Sequence, residues 1–162
     1  IKVGADQNWP PFDYVNSTKK HQGIASDYLK IMSDMLGVQF EVTADIWINV
    51  LNGVKTQELD MLACASNTQE RREYLNFTKP YIEIDTVFVS RKSAPAINSL
   101  AELKGKTVAL PKGTYIHELL QNKAQGVKFI FVKSNKEALQ ALSLGKADAY
   151  LGNLAVVSYF IE

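Results

Sequence analysis

Apolar positions along the chain form two alternating kinds of segment. Short unbroken runs, such as Met61-Leu62-Ala63-Cys64-Ala65 and Val108-Ala109-Leu110, alternate with longer stretches in which apolar residues recur every three or four positions. The unbroken runs predict strands buried on both faces, as in a parallel sheet. Strands are expected at residues 2–5, 38–43, 60–65, 82–90, 107–110, 128–132 and 147–151. Helical spacing is clearest for Ile24, Tyr28, Leu29, Ile31, Met32, Met35 and Leu36, closed by Gly37, and for Trp47, Val50, Leu51 and Val54. Asn67, Ser99 and Ser134 each precede a glutamate by three positions, the form of a capping box at a helix start. A turn at 111–114 feeds a helix through Leu120, and Asn153 opens a last apolar helix. The prolines Pro10-Pro11 forbid helix at 6–12 and hold that loop extended.

Strand and helix alternate, the stretch 92–99 interrupts them with Pro and Ser, and the alternation then restarts. The reading is α/β, with two successive β/α lobes of one parallel sheet each, residues 1–88 and 89–162. A composition 46% apolar and 22% charged excludes a disordered chain. Eighteen Lys and Arg against seventeen Asp and Glu leave a formal charge of +1, so nothing in the balance calls for nucleic acid. The longest uncharged stretch, 149–161, is too short for a bilayer span. A single cysteine, Cys64, excludes an internal disulfide and a thiolate metal cluster, and its apolar surroundings read as core. The chain enters a strand directly at Ile1 with no basic or apolar leader, which reads as a processed or excised piece.

Enzyme motifs are missing: no HExxH, GxSxG, GxxxxGK[ST] or GxGxxG occurs, and no cofactor is implied. His21 reads as a solvated loop residue and His117 as a surface residue of an early helix turn. Binding chemistry is better represented. Ligands of open α/β sheets lie beyond the carboxyl ends of the strands, and the distinctive side chains all follow predicted strands. Asp6 and Trp9 follow the first, Ser66, Thr68 and Arg71 follow the strand at 60–65, Lys112, Gly113 and Thr114 follow that at 107–110, and Asn153 follows that at 147–151. A guanidinium such as that of Arg71 can hold a carboxylate through two parallel hydrogen bonds. Hydroxyls and backbone N–H groups at helix starts favour negative charge, Gly113 admits close approach, and Trp9 and Trp47 offer stacking faces. Each has a plainer alternative: Arg71 as solvated surface, the tryptophans as core, Asp6 as a turn residue, and Gly113-Thr114 as a tight turn and cap.

The segment 67–81, which includes Thr68, Arg71, Phe77, Thr78, Pro80 and Tyr81, resembles the T-x-x-R…F-[ST]-x-P-Y signature of bacterial family-3 extracytoplasmic solute-binding proteins. Trp9-Pro10-Pro11-Phe12, the segments 23–29 and 103–108, Gly113-Thr114 and Gly145-Lys146-Ala147-Asp148-Ala149 extend the likeness in the family's order over the whole chain. The resemblance implies the two-lobed type II periplasmic-binding-protein, or Venus flytrap, fold with a solute between the lobes. It further implies that Arg71 grips a carboxylate with Thr68 and Thr114, that Asp6 helps hold an ammonium, and that Trp9 and Trp47 flank the solute. Two departures qualify it. Asn153 stands where amino-acid-binding members carry a second acid, which leaves an amino acid and a small carboxylate both open as ligand. The family's return crossover does not follow within 1–162, which raises weaker closure, a homodimer or strand exchange as expectations.

The wording of 73–81 and 152–161 resembles sensor input domains ahead of a membrane and a histidine kinase or diguanylate cyclase. The expected function is therefore extracytoplasmic, periplasmic solute binding, tethered to the inner membrane as the input of a signalling protein. The alternative is a free receptor serving an amino-acid ABC permease. A dehydratase-like enzyme on the same fold and a solute-free relay between domains are the further readings.

Overall fold

The computed structural model describes residues 1–161. The chain divides into two compact units, Ile1–Glu83 and Ile84–Glu162. The first is built on β1 (Lys2–Asp6), which pairs in parallel with β5 (Glu41–Asp45) on one side and β6 (Met61–Leu62) on the other. Helix α1 (Ile24–Leu36) leads to β5, and α2 (Trp47–Lys55) returns the chain across the sheet to β6, giving the order β5-β1-β6. β1 reads the two-residue alternation of a strand covered on both faces. Val3 and Ala5 pack with Ala25 and Leu29 of α1, while Gly4 faces α2. A β-carbon on Gly4 would come within 2.6 Å of Val50 Cγ1 and 2.8 Å of Leu59 Cδ1, so α2 reaches the sheet only because this residue has no side chain.

Between β1 and α1 the chain forms a small antiparallel ribbon, β2 (Asn8–Trp9), β3 (Asp13–Val15) and β4 (His21–Gln22). The sequence predicts only an extended loop here. The polar turn at 16–20, in which Asn16 Oδ1 accepts the N–H groups of Thr18 and Lys20, closes a β3–β4 hairpin that a Pro-rich stretch conceals. Gly23, at φ +110°, passes directly over the Phe12 carbonyl, which accepts from Ala25 N–H at 2.9 Å. The first turn of α1 is thereby anchored on the ribbon.

The second unit repeats the plan. β8 (Thr107–Pro111) pairs in parallel with β9 (Lys128–Val132) and, through a single bridge from Val108 to Ala149, with the chain entering β10 (Tyr150–Asn153). Helices α3 (Tyr115–Lys123) and α4 (Asn135–Ser143) connect them, and α5 (Leu154–Ile161) follows β10. Val108 and Leu110 of β8 pack under α3 with Ile116 and Leu120, whereas Ala109 packs under α4 with Ala138, Ala141 and Leu142. The α4 start is the expected capping box, Ser134 Oγ accepting from Glu137 N–H at 3.2 Å. The fold is the α/β, parallel-rich arrangement expected.

Several elements differ from their sequence expectation. The strand at 82–90 is shorter, β7 (Thr86–Val89), and it runs antiparallel to β10, so the second sheet is mixed. Because β7 pairs with β10, it belongs to the second unit. The strand at 60–65 shrinks to Met61–Leu62, since only the residues opposite Val3 and Gly4 find a ladder partner. The boxes at Asn67 and Ser99 open only short 3-10 turns, Arg71–Glu73 and Leu100–Leu103. In the first of these Thr68, not Asn67, provides the cap, its Oγ1 accepting from Arg71 N–H. Among the described residues no helix is long and apolar enough to cross a membrane.

Candidate functional site

In both units the connections leave the central strand in opposite directions, β1 toward β5 and β6, and β8 toward β9 and the β10 entry. Such a reversal opens a crevice at the carboxyl ends of the strands. The candidate residues lie in the segments that leave those ends.

In the first unit Arg71 occupies the 3-10 turn after β6 and is only 2% exposed, the largest fully buried side chain among the described residues. Nη1 donates to the Ser66 carbonyl at 3.2 Å, and the guanidinium lies 5.0 Å from the centre of the Trp47 ring. Thr68 Oγ1 accepts from the Arg71 N–H. Ser66, Thr68, Arg71 and Trp47 are thus brought together, and the solvated-surface alternative for Arg71 falls. Its neighbour Arg72 is the exposed member of the pair, its Nε donating to Asn67 Oδ1 at 2.7 Å. A buried guanidinium with a π face against it is a donor fork held in a fixed plane, the geometry that recognises a carboxylate.

Asp6 ends β1 with its Oδ1 accepting from Asn8 N–H at 2.8 Å. Burial, with a smaller contribution from nearby Asp13, pushes its carboxyl up to about 7, against the lowering effect of the Asn8 bond. Trp9, half-buried on β2, packs on Phe12 with ring centres 4.8 Å apart. Sequence reasoning passes over Asp13, which is 1% exposed. Its Oδ2 accepts from Asp6 N–H at 2.8 Å, its Oδ1 lies 2.5 Å from His21 Nε2, and the Cys64 thiol lies 3.7 Å from Oδ2. His21 is therefore a partner of a buried carboxylate, not a solvated loop residue; the β3–β4 hairpin folds it inward. The signal available in the sequence is an acid flanked by Phe12 and Tyr14, an apolar setting in which a carboxylate needs partners. Burial pushes the Cys64 thiol up, and Asp13 adds to the effect.

In the second unit Gly113 takes φ +76° at the turn from β8 into α3, a conformation that favours glycine. Thr114 caps α3, its Oγ1 accepting from His117 N–H and donating to the Pro111 carbonyl. Gly113 N–H points to His117 Nδ1 at 3.4 Å. His117 is 8% exposed and stands edge-on to Phe129 and Phe131 of β9, so its surface reading is corrected: it is a core residue that braces the Gly113-Thr114 turn. Lys112 is exposed. Asn153, buried at the end of β10, accepts from Ala155 N–H through Oδ1 and so caps α5. Asp148, in the Gly145–Ala149 motif, accepts from Thr107 N–H at 2.8 Å and clasps the start of β8.

Two α/β units, each with polar and hydroxyl-bearing residues in the loops at the carboxyl ends of its strands, have the architecture of the type II periplasmic solute-binding class. The chain belongs to the bacterial extracellular solute-binding proteins, family 3, whose profile matches residues 1–150. A probable histidine-binding protein of Campylobacter jejuni is 28% identical over 99% of this chain and 62% of its own length. The virulence sensor protein BvgS of Bordetella pertussis is 25% identical over 100% of this chain but 13% of its own. Among solved structures, an ancestral arginine-binding protein bound to arginine superposes with a TM-score of 0.89 at 27% identity, covering 99% of this chain and 73% of that one. The chain thus spans less than two thirds of the length of these curated relatives.

Proposed function

We propose that this chain binds a small polar solute bearing a carboxylate, an amino acid or a simple organic acid, outside the cytoplasm, and does not turn it over. The observation that carries the reading is the buried Arg71 guanidinium beside Thr68, Ser66 and the Trp47 ring, at the switch point of the first sheet. A guanidinium held in one plane against a ring presents its N–H donors as a fixed fork, and such a fork serves carboxylate recognition. In this reading Asp6, Trp9 and Trp47 are the candidate solute contacts of the first unit, and Lys112, Gly113, Thr114 and Asn153 are the candidates carried by the second. Asn153 is a neutral amide, so any ammonium of the solute is offset by Asp6 rather than by two acids.

The proposed role is sensory input to a membrane-tethered signalling protein in the periplasm. Support comes from the match to a virulence sensor of which this chain corresponds to a small part. The second reading, a receptor for an amino-acid ABC permease, is favoured by the relative described as histidine-binding. Fractionation of the native protein separates the two: a sensor remains with the inner membrane, and a free receptor is released with the periplasm.

The test of binding is thermal shift against the twenty amino acids and a set of small carboxylates, on wild type and on Arg71→Ala and Arg71→Lys. A solute at a hundred times its Kd stabilises the protein by about 2.7 kcal/mol. Arg71→Ala is expected to lose the response, with circular dichroism confirming the fold. Arg71→Lys keeps the charge without the fork and retains part of it. An undiminished response in Arg71→Ala overturns the carboxylate-clamp reading.

A further inference from the structure

We propose that Asp13 is a positioning residue for solute recognition: buried beneath the carboxyl end of β1, its carboxylate ties the Trp9-bearing ribbon to the Asp6 backbone and to the segment leading to Arg71, and couples amino-acid binding to a proton at Asp6. This rests on the solute-binding reading above and adds to it a residue and a proton.

The geometry is a three-way clasp. One carboxylate, 1% exposed, accepts from the N–H of Asp6 at the end of β1, meets Nε2 of His21 on β4, and lies within reach of the Cys64 thiol, two residues before Ser66. Asp13 itself lies on β3, the middle strand of the ribbon, and its register partner across β2 is Trp9. The ribbon also meets the first sheet through the bond from Gln7 N–H, at its entry, to the Asp45 carbonyl. Asp13 is therefore placed to fix how the ribbon presents Trp9 and how the end of β1 presents Asp6.

The same placement brings the Asp13 carboxylate onto the backbone of Asp6, where its charge adds to the effect of burial in disfavouring ionisation of the Asp6 carboxyl. The titratable groups around them are His21 on β4, Cys64 and Tyr81 beyond β6, and Asp45, the register partner of Asp6 on β5. Asp45 is engaged elsewhere, accepting from Ile46 N–H and the Asn49 amide. His21 and the thiol act on Asp13, and the Asn8 N–H acts on Asp6. Burial first, and the nearby Asp13 to a smaller extent, raise the Asp6 carboxyl to about 7, so near neutral pH it is partly protonated. An ammonium-bearing solute favours the ionised form, so its binding releases that proton and tightens as pH rises through 7.

The experiment follows the Asp6 side-chain carbon by NMR from pH 4.5 to 9 in wild type, Asp13→Asn and His21→Gln. The amino-acid panel is read alongside by thermal shift at pH 6 and pH 8. Asp13→Asn removes the neighbouring charge while keeping an acceptor, and His21→Gln keeps a donor to Asp13 should the first variant fold poorly. The expected result is an Asp6 midpoint near 7 in wild type and a modest downward shift in Asp13→Asn, in which the larger effect of burial remains. His21→Gln keeps the Asp13 carboxyl in place and leaves the Asp6 midpoint near that of wild type. The amino-acid response is larger at pH 8 than at pH 6 in wild type, and this difference shrinks in Asp13→Asn. A midpoint that Asp13→Asn leaves in place overturns the proposal, whatever the panel does. A panel silent at both pH values removes the binding function proposed above and the solute part of this one, even where the Asp6 midpoint moves. A purely structural Asp13 would lower stability without moving either the midpoint or the pH dependence.

Discussion

Arg71 and Arg72 are adjacent and chemically identical, yet one is buried against Trp47 and the other is exposed. A 3-10 turn separates successive side chains by about 120°, so the capped turn at Thr68 decides which arginine points inward. Asp6 shows the same dependence on surroundings. Its carboxyl, ordinarily near 3.8, titrates near 7 in the folded protein because burial disfavours its charge. Between those values the native state holds a proton that the unfolded state has lost, so stability falls as pH rises from about 4 through 7. Asp6→Asn removes that penalty. Its melting temperature relative to wild type is therefore expected to be more favourable at pH 8 than at pH 5, a comparison made by calorimetry at the two pH values. Cys64 is the third case. Its thiol is raised by burial and by Asp13, and the thiolate is the reactive form. Iodoacetamide at pH 8 is expected to label native Cys64 at least about tenfold more slowly than the unfolded chain, as read by mass spectrometry.

At the scale of elements, the periodicity of α1 specifies a helix but not which side of it is covered. Leu29 and Ala25 face β1, whereas Tyr28, Ile31, Met35 and Leu36, equally apolar, lie exposed. Only one stripe of a helix can meet one sheet, and the alternation of Val3 and Ala5 on β1 selects it. On the opposite face Gly4 sets the approach of α2. Gly4→Ala places a methyl within 2.6 Å of the stiff, branched Val50 side chain, so the layer must separate. The substitution is expected to destabilise the protein by about 1–3 kcal/mol, seen as a lower urea midpoint at unchanged m-value. Gly152 is constrained in the same way by the Tyr150 ring, whose hydroxyl donates to Asn135. Strand lengths obey pairing: within 60–65 and 82–90 only the residues with a ladder partner, Met61–Leu62 and Thr86–Val89, are strand.

At the scale of the whole molecule, the two units share one strand order although no sequence repeat relates them. The formal charge of +1 gives no long-range field of either sign. A fluorescent oligonucleotide at low salt, where non-specific binders reach about 10⁻⁴–10⁻⁶ M even at physiological ionic strength, is expected to show no anisotropy change up to tens of micromolar protein. What the sequence determined by itself is the part carried by local chemistry. The α/β alternation follows from hydrophobic period, the α4 start and the α3 cap from side chains three residues away, and the family from a motif contiguous along the chain. Tertiary structure alone decided the rest, because burial and pairing depend on residues distant in sequence. It placed His21 and His117 in the interior, made Asp13 the hub of a clasp reaching from Asp6 to Cys64, and ran β7 antiparallel to a strand sixty residues later. No local pattern encodes those choices, since each is fixed by which surfaces remain to be covered once the sheets have formed.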